Sequence, residues 1–154
     1  MRLRLLAVGT RMPQWIKTGY AEYARRMPPS CRLELIEIAP GKHQRGAARA
    51  MAEEERRLLE QIGRRDAVIA LDGGGRAWST EQLAARLHDW LADGRDRSLL
   101  IGGADGLSGA CLARAEQRWS LSALTLPHPL VRVIVAEQLY RAVSLLNNHP
   151  YHRG

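Results

Sequence analysis

Two apolar segments of this chain have the pattern of buried strands that end in turns, and each turn precedes a predicted helix. Residues 98–106 read Ser-Leu-Leu-Ile-Gly-Gly-Ala-Asp-Gly, and residues 121–128 read Leu-Ser-Ala-Leu-Thr-Leu-Pro-His. Neither segment is rich in side chains that bind a phosphate, a metal ion or an acyl group. We therefore expect the two segments to build a pocket in which main-chain amides and carbonyls hold a ligand against an apolar wall.

Strand-like and helix-like patterns alternate along all 154 residues. The length and the 45% hydrophobic content are typical of one globular domain, spanning residues 1–154. The alternation predicts an α/β fold, in which a mostly parallel sheet is covered by helices on both faces. The predicted strands are 2–8, 32–38, 66–71, 97–101 and 119–126, and the predicted helices are 13–27, 47–62, one that begins near 79 at a Ser-x-x-Gln capping box, 108–117 and 130–147.

Two glycine-rich stretches, Gly73-Gly74-Gly75 and Gly102-Gly103-x-x-Gly106, are consistent with ligand-binding loops or with plain turns. Neither matches the Rossmann pattern, and the chain has no P-loop, which argues against dinucleotide oxidoreduction and nucleotide hydrolysis. The loops after the strands 66–71, 97–101 and 119–126 would nevertheless share the carboxyl edge of a parallel sheet, where such sheets bind ligands. We expect one shared pocket at that edge.

The net charge of +7 is concentrated in the first half of the chain. Residues 1–65 carry 14 Lys and Arg side chains and 7 Asp and Glu side chains, whereas residues 66–154 carry 9 of each. A basic half suits a nucleic acid, because Arg and Lys displace its condensed counterions. Genomic bias is the alternative, and it explains the choice of Arg over Lys but not the asymmetry. The candidate phosphate contacts are Arg25, Arg26, Arg45 and Arg49.

Several classes of protein are disfavoured by what the sequence lacks. No stretch approaches the roughly 20 apolar residues of a membrane helix, and the N-terminus does not resemble a signal peptide, so we expect a cytoplasmic protein without a membrane partner. Cys31 and Cys111 lack CxxC spacing and are interpreted as buried reduced thiols. His128, His149 and His152 have no carboxylate or cysteine at a familiar spacing, so no metal site is predicted.

The remaining polar candidates are Ser108 and a pair in the last predicted helix. Because the chain has no G-x-S-x-G nucleophile elbow, Ser108 is interpreted as a helix cap and not as a hydrolase nucleophile. Glu137 and Arg141 are spaced i to i+4, which is typical of a surface ion pair. Their helix is too apolar to expose much surface, which favours a role at an interface or an active site.

The chain closely resembles the bacterial methyltransferases that modify N3 of a pseudouridine in large-subunit ribosomal RNA. The resemblance runs from the first strand to the tail, and its most specific parts are Leu-Thr-Leu-Pro-His-Pro at 124–129 and Pro-Tyr-His at 150–152. It implies a SPOUT-type fold with a C-terminal trefoil knot, which is an exception to the rule against threaded chains. The matching segments are 7–10, 35–38, 71–72, 99–103, 119–133 and 149–153.

The same resemblance implies the cofactor, the substrate and the site. S-adenosyl-L-methionine would donate the methyl group, with no metal, to the 23S RNA of an assembled ribosome. A homodimer is implied, in which the tail of one subunit completes the site of the other. The residues expected around the target base are His128, Arg141, Tyr151 and His152, with His152 the first choice for proton handling. The cofactor-binding residues implied are Leu71, Gly102, Leu121, Ser122, Ala123, Leu124, Thr125 and Leu126.

Two other functions stay open at this point. A SPOUT-like chain can act only as an RNA-binding module, or it can methylate transfer RNA as other knotted relatives do. The small size of the chain favours the ribosome, because a docked dimer can borrow specificity from the shape of its substrate. Gly102 is expected to be a glycine because the main chain approaches the cofactor closely there.

Overall fold

The computed structural model describes residues 1–153, and its helices and strands alternate as the sequence predicts. Two short 3₁₀ turns, Pro29–Cys31 and His43–Arg45, lie in the loops on either side of the second strand. The strands are β1 (Arg2–Val8), β2 (Arg32–Ile38), β3 (Ala67–Ala77), β4 (Arg97–Ile101) and β5 (Gln117–Ser120), and the helices are α1 (Gln14–Ala24), α2 (Ala47–Gln61), α3 (Thr80–Asp93), α4 (Gly109–Arg114) and α5 (His128–Leu146).

The five strands form one sheet in the order β2-β1-β4-β3-β5, and every neighbouring pair is parallel. The predicted parallel α/β architecture is therefore confirmed. Because all the strands run the same way, the loops that follow them emerge at one carboxyl edge of the sheet. The trefoil knot implied by the resemblance stays a prediction.

Alternate residues of the central strands enter two separate apolar clusters, as the pleat of a strand requires. Leu5 and Ala7 of β1 pack into the larger cluster, which includes side chains of α1, α3 and α5. Leu6 and Val8 point to the opposite face, where they pack with α2 and with Cys111 of α4. Both faces of the sheet are therefore covered, which explains why the strands read as nearly continuous apolar runs.

The predicted helix caps are confirmed. Ser79 Oγ accepts a hydrogen bond from the main-chain N–H of Gln82 at 3.0 Å, and the Gln82 side chain accepts one from Ser79 N–H at 2.8 Å. Ser108 Oγ caps α4 by accepting from Cys111 N–H at 3.2 Å. Cys31 and Cys111 are buried and free, as predicted, and burial raises the pKa of both thiols.

The last strand is shorter than its apolar pattern predicts. β5 ends at Ser120, and the residues that follow form a loop that runs to the start of α5, so the prediction of a strand over 119–126 is wrong beyond Ser120. Local hydrogen bonds shape this loop: Ser120 Oγ donates to the Ser122 carbonyl at 3.1 Å, and Ser122 Oγ accepts from Leu124 N–H at 2.9 Å. Serine side chains that bond to the nearby main chain compete with strand pairing.

The sequence leaves a ligand-binding loop and a plain turn open for the glycine stretch 73–75, and the structure shows that it is not a plain turn. It lies inside β3, which continues to Ala77 beside β5 with a shift in register between Leu71 and Arg76. A Cβ atom at Gly75 would lie 2.6 Å from the carbonyl carbon of Arg118, so only glycine allows the two strands to approach this closely. The stretch is an irregularity that lets β3 bend past β5.

A polar network joins Asp66, the residue immediately before β3, to the neighbouring strands β1 and β4. Asp66 Oδ2 accepts hydrogen bonds from Ser98 Oγ at 2.8 Å, Gly63 N–H at 3.0 Å and Arg4 Nη1 at 3.1 Å. Burial acts to raise the pKa of Asp66, but the hydrogen bonds and the Arg4 charge outweigh it and hold the pKa below its usual value.

Among residues 1–153, no helix has the length and apolar character needed to cross a membrane.

We expect Asp66→Asn to lower the free energy of unfolding at neutral pH by roughly 1–3 kcal/mol, because Arg4 loses its buried counter-charge. The depressed pKa stabilises the fold above the unfolded value of 3.8, and this advantage is lost as the pH falls through the folded value. Denaturant titrations from neutral to strongly acidic pH should show the two proteins converging in acid. The exposed Asp89→Asn is the control, and equal stability of wild type and Asp66→Asn at neutral pH would contradict the role given to this network.

Candidate active site

A cavity of about 420 Å³ opens at the carboxyl edge of the sheet, between the loops that follow β3, β4 and β5. We call it the edge pocket. The structure brings together here every residue expected to bind the cofactor, although these residues come from three separate parts of the chain. They are Leu71, Gly102, Leu121, Ser122, Ala123, Leu124, Thr125 and Leu126.

The side chains that line the edge pocket are mainly apolar, and polar main-chain atoms share its surface. Trp119 and Ile101 are buried at the ends of their strands and line the pocket, whereas Leu124 projects from the loop after β5 with 75% of its surface exposed. Asp72 is the one carboxylate among the lining residues. A ligand with a flat apolar part and a polar edge fits this lining, with the main chain of the three loops available for hydrogen bonds.

Gly102 lines the edge pocket, and the structure gives a steric reason for its being glycine, while the expected close approach to the cofactor stays a prediction. A Cβ atom at this position would lie 2.4 Å from the carbonyl carbon of Gly106. The loop after β4 folds back on itself, with Gly106 N–H donating to the Gly103 carbonyl at 3.0 Å. The glycine is therefore required because the loop closes tightly against itself.

His128 begins α5 at the rim of the edge pocket. Arg132, one turn further along α5, has a side chain only 1% exposed, and its guanidinium donates to Glu37 Oε2 at 2.7 Å and to the Gly9 carbonyl at 2.8 Å. Burial and the nearby Arg132 charge lower the pKa of His128, while the charge of Glu54 opposes this shift. At neutral pH the His128 ring is therefore uncharged.

The other three predicted catalytic residues lie at the far end of α5, where the tail folds back on the helix. Glu137 Oε1 accepts hydrogen bonds from Arg141 Nε at 2.9 Å and from the Tyr151 hydroxyl at 3.1 Å. Burial and the Glu137 charge raise the pKa of Tyr151 to about 12, so its hydroxyl keeps its proton at neutral pH. His152 Nε2 lies 3.4 Å from a carboxylate oxygen of Glu81 on α3.

Within one chain, His128 is not brought together with Arg141, Tyr151 and His152. His128 and Arg141 are 13 residues apart on one continuous helix, which corresponds to about 20 Å at a rise of about 1.5 Å per residue. The predicted ion pair between Glu137 and Arg141 is present, and it organises the tail instead of lying alone on the surface. The four predicted catalytic residues therefore form two groups at opposite ends of α5.

A second cavity, of about 530 Å³, was missed by the sequence analysis. It lies between the loops that follow β1 and β2, the helix α2, and the wall of the edge pocket. Glu54 lines it with only 6% of the residue exposed. The signal that could have revealed Glu54 is its spacing, since it lies four residues from both Ala50 and Leu58 on the buried side of α2.

Among residues 1–153, no group of three or more potential ligands is placed to hold a metal ion.

Comparison with known proteins assigns the chain to a class. Residues 1–152 match the family described as "Predicted SPOUT methyltransferase". In solved structures, the fold is similar to that of a probable methyltransferase from Bordetella pertussis, with a TM-score of 0.60 and 16% identity over 92% of this chain and 94% of that one. A probable methylase family protein from Haemophilus influenzae has a TM-score of 0.57 and 13% identity over 99% of this chain and 70% of that one. These likenesses support the fold alone.

Closer relatives define the family within this class. The chain is 58% identical to "Ribosomal RNA large subunit methyltransferase H" of Methylococcus capsulatus, over 99% of this chain and all of the relative. It is 56% identical to the protein of the same name from Chromohalobacter salexigens, over the same proportions of both chains. The chain belongs to this family of SPOUT methyltransferases.

Proposed function

We propose that this protein transfers a methyl group from S-adenosyl-L-methionine to N3 of a pseudouridine in the large-subunit ribosomal RNA of an assembled ribosome. The observation that carries the proposal is the edge pocket, which is bounded by the three loops that follow β3, β4 and β5 and lined mainly by apolar side chains. The full-length relatives of this chain are named as large-subunit ribosomal RNA methyltransferases. The sulfonium of the bound cofactor supplies an activated methyl group.

The edge pocket fits this cofactor. Leu71 and Leu121 offer apolar contacts for the faces of the adenine ring, and the main chain of the loop that contains Ser122 offers hydrogen bonds for its polar edge. Asp72 is placed to interact with a polar or positively charged part of the ligand.

The acceptor N3 carries a proton that must leave when the new carbon–nitrogen bond forms. Tyr151 is unsuited to accept this proton, because a pKa of about 12 keeps its hydroxyl protonated at neutral pH, and that hydroxyl donates to Glu137 Oε1. Its role is to hold Glu137 and Arg141 in position beside the base. His152 is our candidate for the proton acceptor. Arg141 would stabilise the negative charge that develops on the base, and its ion pair with Glu137 holds the guanidinium in place.

The site requires two subunits in this proposal. The length of α5 keeps the tail of one chain away from its own edge pocket, so a second copy is needed to bring Tyr151 and His152 to the cofactor. Exposed apolar side chains suit such an interface: Trp15 is 63% exposed on α1, and Leu124 is 75% exposed beside the pocket. Large exposed apolar side chains often mark contact surfaces.

The first test measures labelled methyl transfer to ribosomes and to transfer RNA, together with cofactor binding by calorimetry. We expect methylation of ribosomes only. Ala123→Trp should abolish both activity and cofactor binding, because Ala123 is an exposed lining residue and an indole there would fill the edge pocket without disturbing the core. Ala92→Trp, at an exposed position of α3, is the matched control. Methylation of transfer RNA, or cofactor binding without activity on any RNA, would support one of the alternative functions.

The second test asks whether the tail acts on the partner subunit. Deletion of residues 149–154 should leave cofactor binding largely intact and remove methyl transfer. Mixing this inactive variant with inactive Ala123→Trp should restore part of the activity, because one of the two sites in a mixed dimer combines an intact pocket with an intact tail. Absence of activity in a mixture that demonstrably contains the mixed dimer would mean that each site is built within one chain.

The third test concerns the basic first half of the chain. Arg25 and Arg26 both pair with Glu22, whereas Arg45 and Arg49 are exposed and have no carboxylate partner among residues 1–153. We therefore expect the double change of Arg45 and Arg49 to Glu to weaken ribosome binding by about tenfold or more at moderate salt and to reduce its salt dependence. Cofactor affinity should not change. Arg56→Glu, an exposed position on α2, is the control, and normal ribosome binding by the double variant would place the RNA contact elsewhere.

A further inference from the structure

The second cavity adjoins the edge pocket, and the two share Gly103, Ala104 and His128 as lining residues. A Cβ atom at Gly103 would lie 3.1 Å from Val8 Cγ1 and 3.3 Å from Glu54 Oε1. The carboxylate of Glu54 therefore packs directly against the main chain that separates the two cavities. A group bound beside Glu54 would lie next to a group bound in the edge pocket, as methyl transfer requires of its two reactants.

One oxygen of the Glu54 carboxylate is available to a ligand. Its Oε2 accepts a hydrogen bond from Gly41 N–H at 2.8 Å, which fixes the side chain against the loop after β2. Its Oε1 has no hydrogen-bond partner among residues 1–153. This oxygen therefore keeps its acceptor capacity for a group in the cavity that Glu54 lines, and a ligand N–H there could donate a charge-assisted hydrogen bond to it.

The charges around the second cavity differ between its rim and its interior. Arg11 lines the cavity, and Lys42 lies next to His43, which bonds to Asp105 through Nε2 at 2.9 Å. The interior carries Glu54 beside the uncharged ring of His128, so no histidine cation neutralises the carboxylate. The Glu54 carboxylate would repel a free anion bound in the interior of the second cavity. An RNA nucleotide fits better, because its phosphates can contact the basic rim while its base offers N–H donors to the interior.

We propose that the second cavity receives the acceptor base and that Glu54 Oε1 accepts a hydrogen bond from N1–H of the target pseudouridine. This inference rests on the proposed function. Uridine is joined to ribose through N1 and has no hydrogen there, whereas pseudouridine is joined through C5 and keeps the N1–H donor. N1 and N3 flank the same carbonyl carbon, so a base held at N1 presents N3 beside it. Glu54 is therefore the residue that distinguishes pseudouridine from uridine.

The experiment compares methyl transfer to ribosomes that carry either pseudouridine or uridine at the target position. We expect kcat/KM of the wild-type protein to favour pseudouridine by roughly 10–100-fold, the usual effect of a hydrogen bond to a charged group. In Glu54→Gln this ratio should fall to about 1. The Gln carbonyl can still accept from Gly41 N–H, but its amide group would then face N1–H with a second donor. Cofactor affinity, measured by calorimetry, should stay within about threefold of wild type, because the change lies outside the edge pocket.

Two further variants make the test independent of the stability of Glu54→Gln. Gly103→Ala keeps the carboxylate and its bond to Gly41 but places a methyl group 3.3 Å from Oε1, so it should also remove the preference for pseudouridine. Glu53→Gln, at the adjacent position on α2, removes a carboxylate that bonds to Arg57 and does not line the cavity. It should keep the wild-type preference.

An unchanged preference in both Glu54→Gln and Gly103→Ala would overturn the proposal. A loss of cofactor affinity of more than about tenfold in Glu54→Gln would also overturn it, since Glu54 would then serve the methyl donor instead of the acceptor. A wild-type protein that binds the cofactor but methylates neither kind of ribosome would refute the proposed function itself. The two failures are therefore distinguishable.

Discussion

The buried guanidinium of Arg132 fixes the geometry on which both cavities depend. It binds the Gly9 carbonyl at the end of β1 and Glu37 near the end of β2, and so attaches the first turn of α5 to the carboxyl edge of the sheet. A charge at 1% exposure is tolerated only because these partners compensate for its desolvation. This attachment sets the position of His128, one turn earlier on α5, which is part of the wall that the edge pocket and the second cavity share.

Much of the fold could be predicted because burial on both faces of a parallel sheet leaves a clear pattern. The alternation of Leu5 and Ala7 with Leu6 and Val8 needs apolar partners on two sides, and helices on both faces supply them. The caps at Ser79 and Ser108 could be predicted for a different reason, since they depend on contacts only three residues apart. Local hydrogen bonds and strong periodicity can both be recognised in a sequence without knowledge of the tertiary structure.

The features that were wrong or missed depend on the path of the folded chain. Gly75 lies in a strand because β5 packs beside it, and the loop after β4 brings Gly106 back against Gly102. Neither reason can be read from the glycine pattern alone. The eight predicted cofactor-binding residues in the edge pocket came from family resemblance. Periodicity predicted only that the loops after three strands share one edge of the sheet. Glu54 had a usable signal in its spacing on α2, but its meaning depends on a cavity that only the folded chain contains.

The separation of chemical groups along α5 explains how a chain of this size can build a site for a large substrate. A helix that must span the sheet cannot bend its tail back to its own beginning, so Arg141 and His128 stay far apart in one chain. The tail is nevertheless held in order by Glu137, Tyr140 and Arg141, which limits the entropy lost when it meets another surface. In the dimer that we propose, the tail gains its chemical role by contacting the second copy. In the proposed dimer, assembly and catalysis are therefore coupled, because the same contact that joins the subunits completes the site.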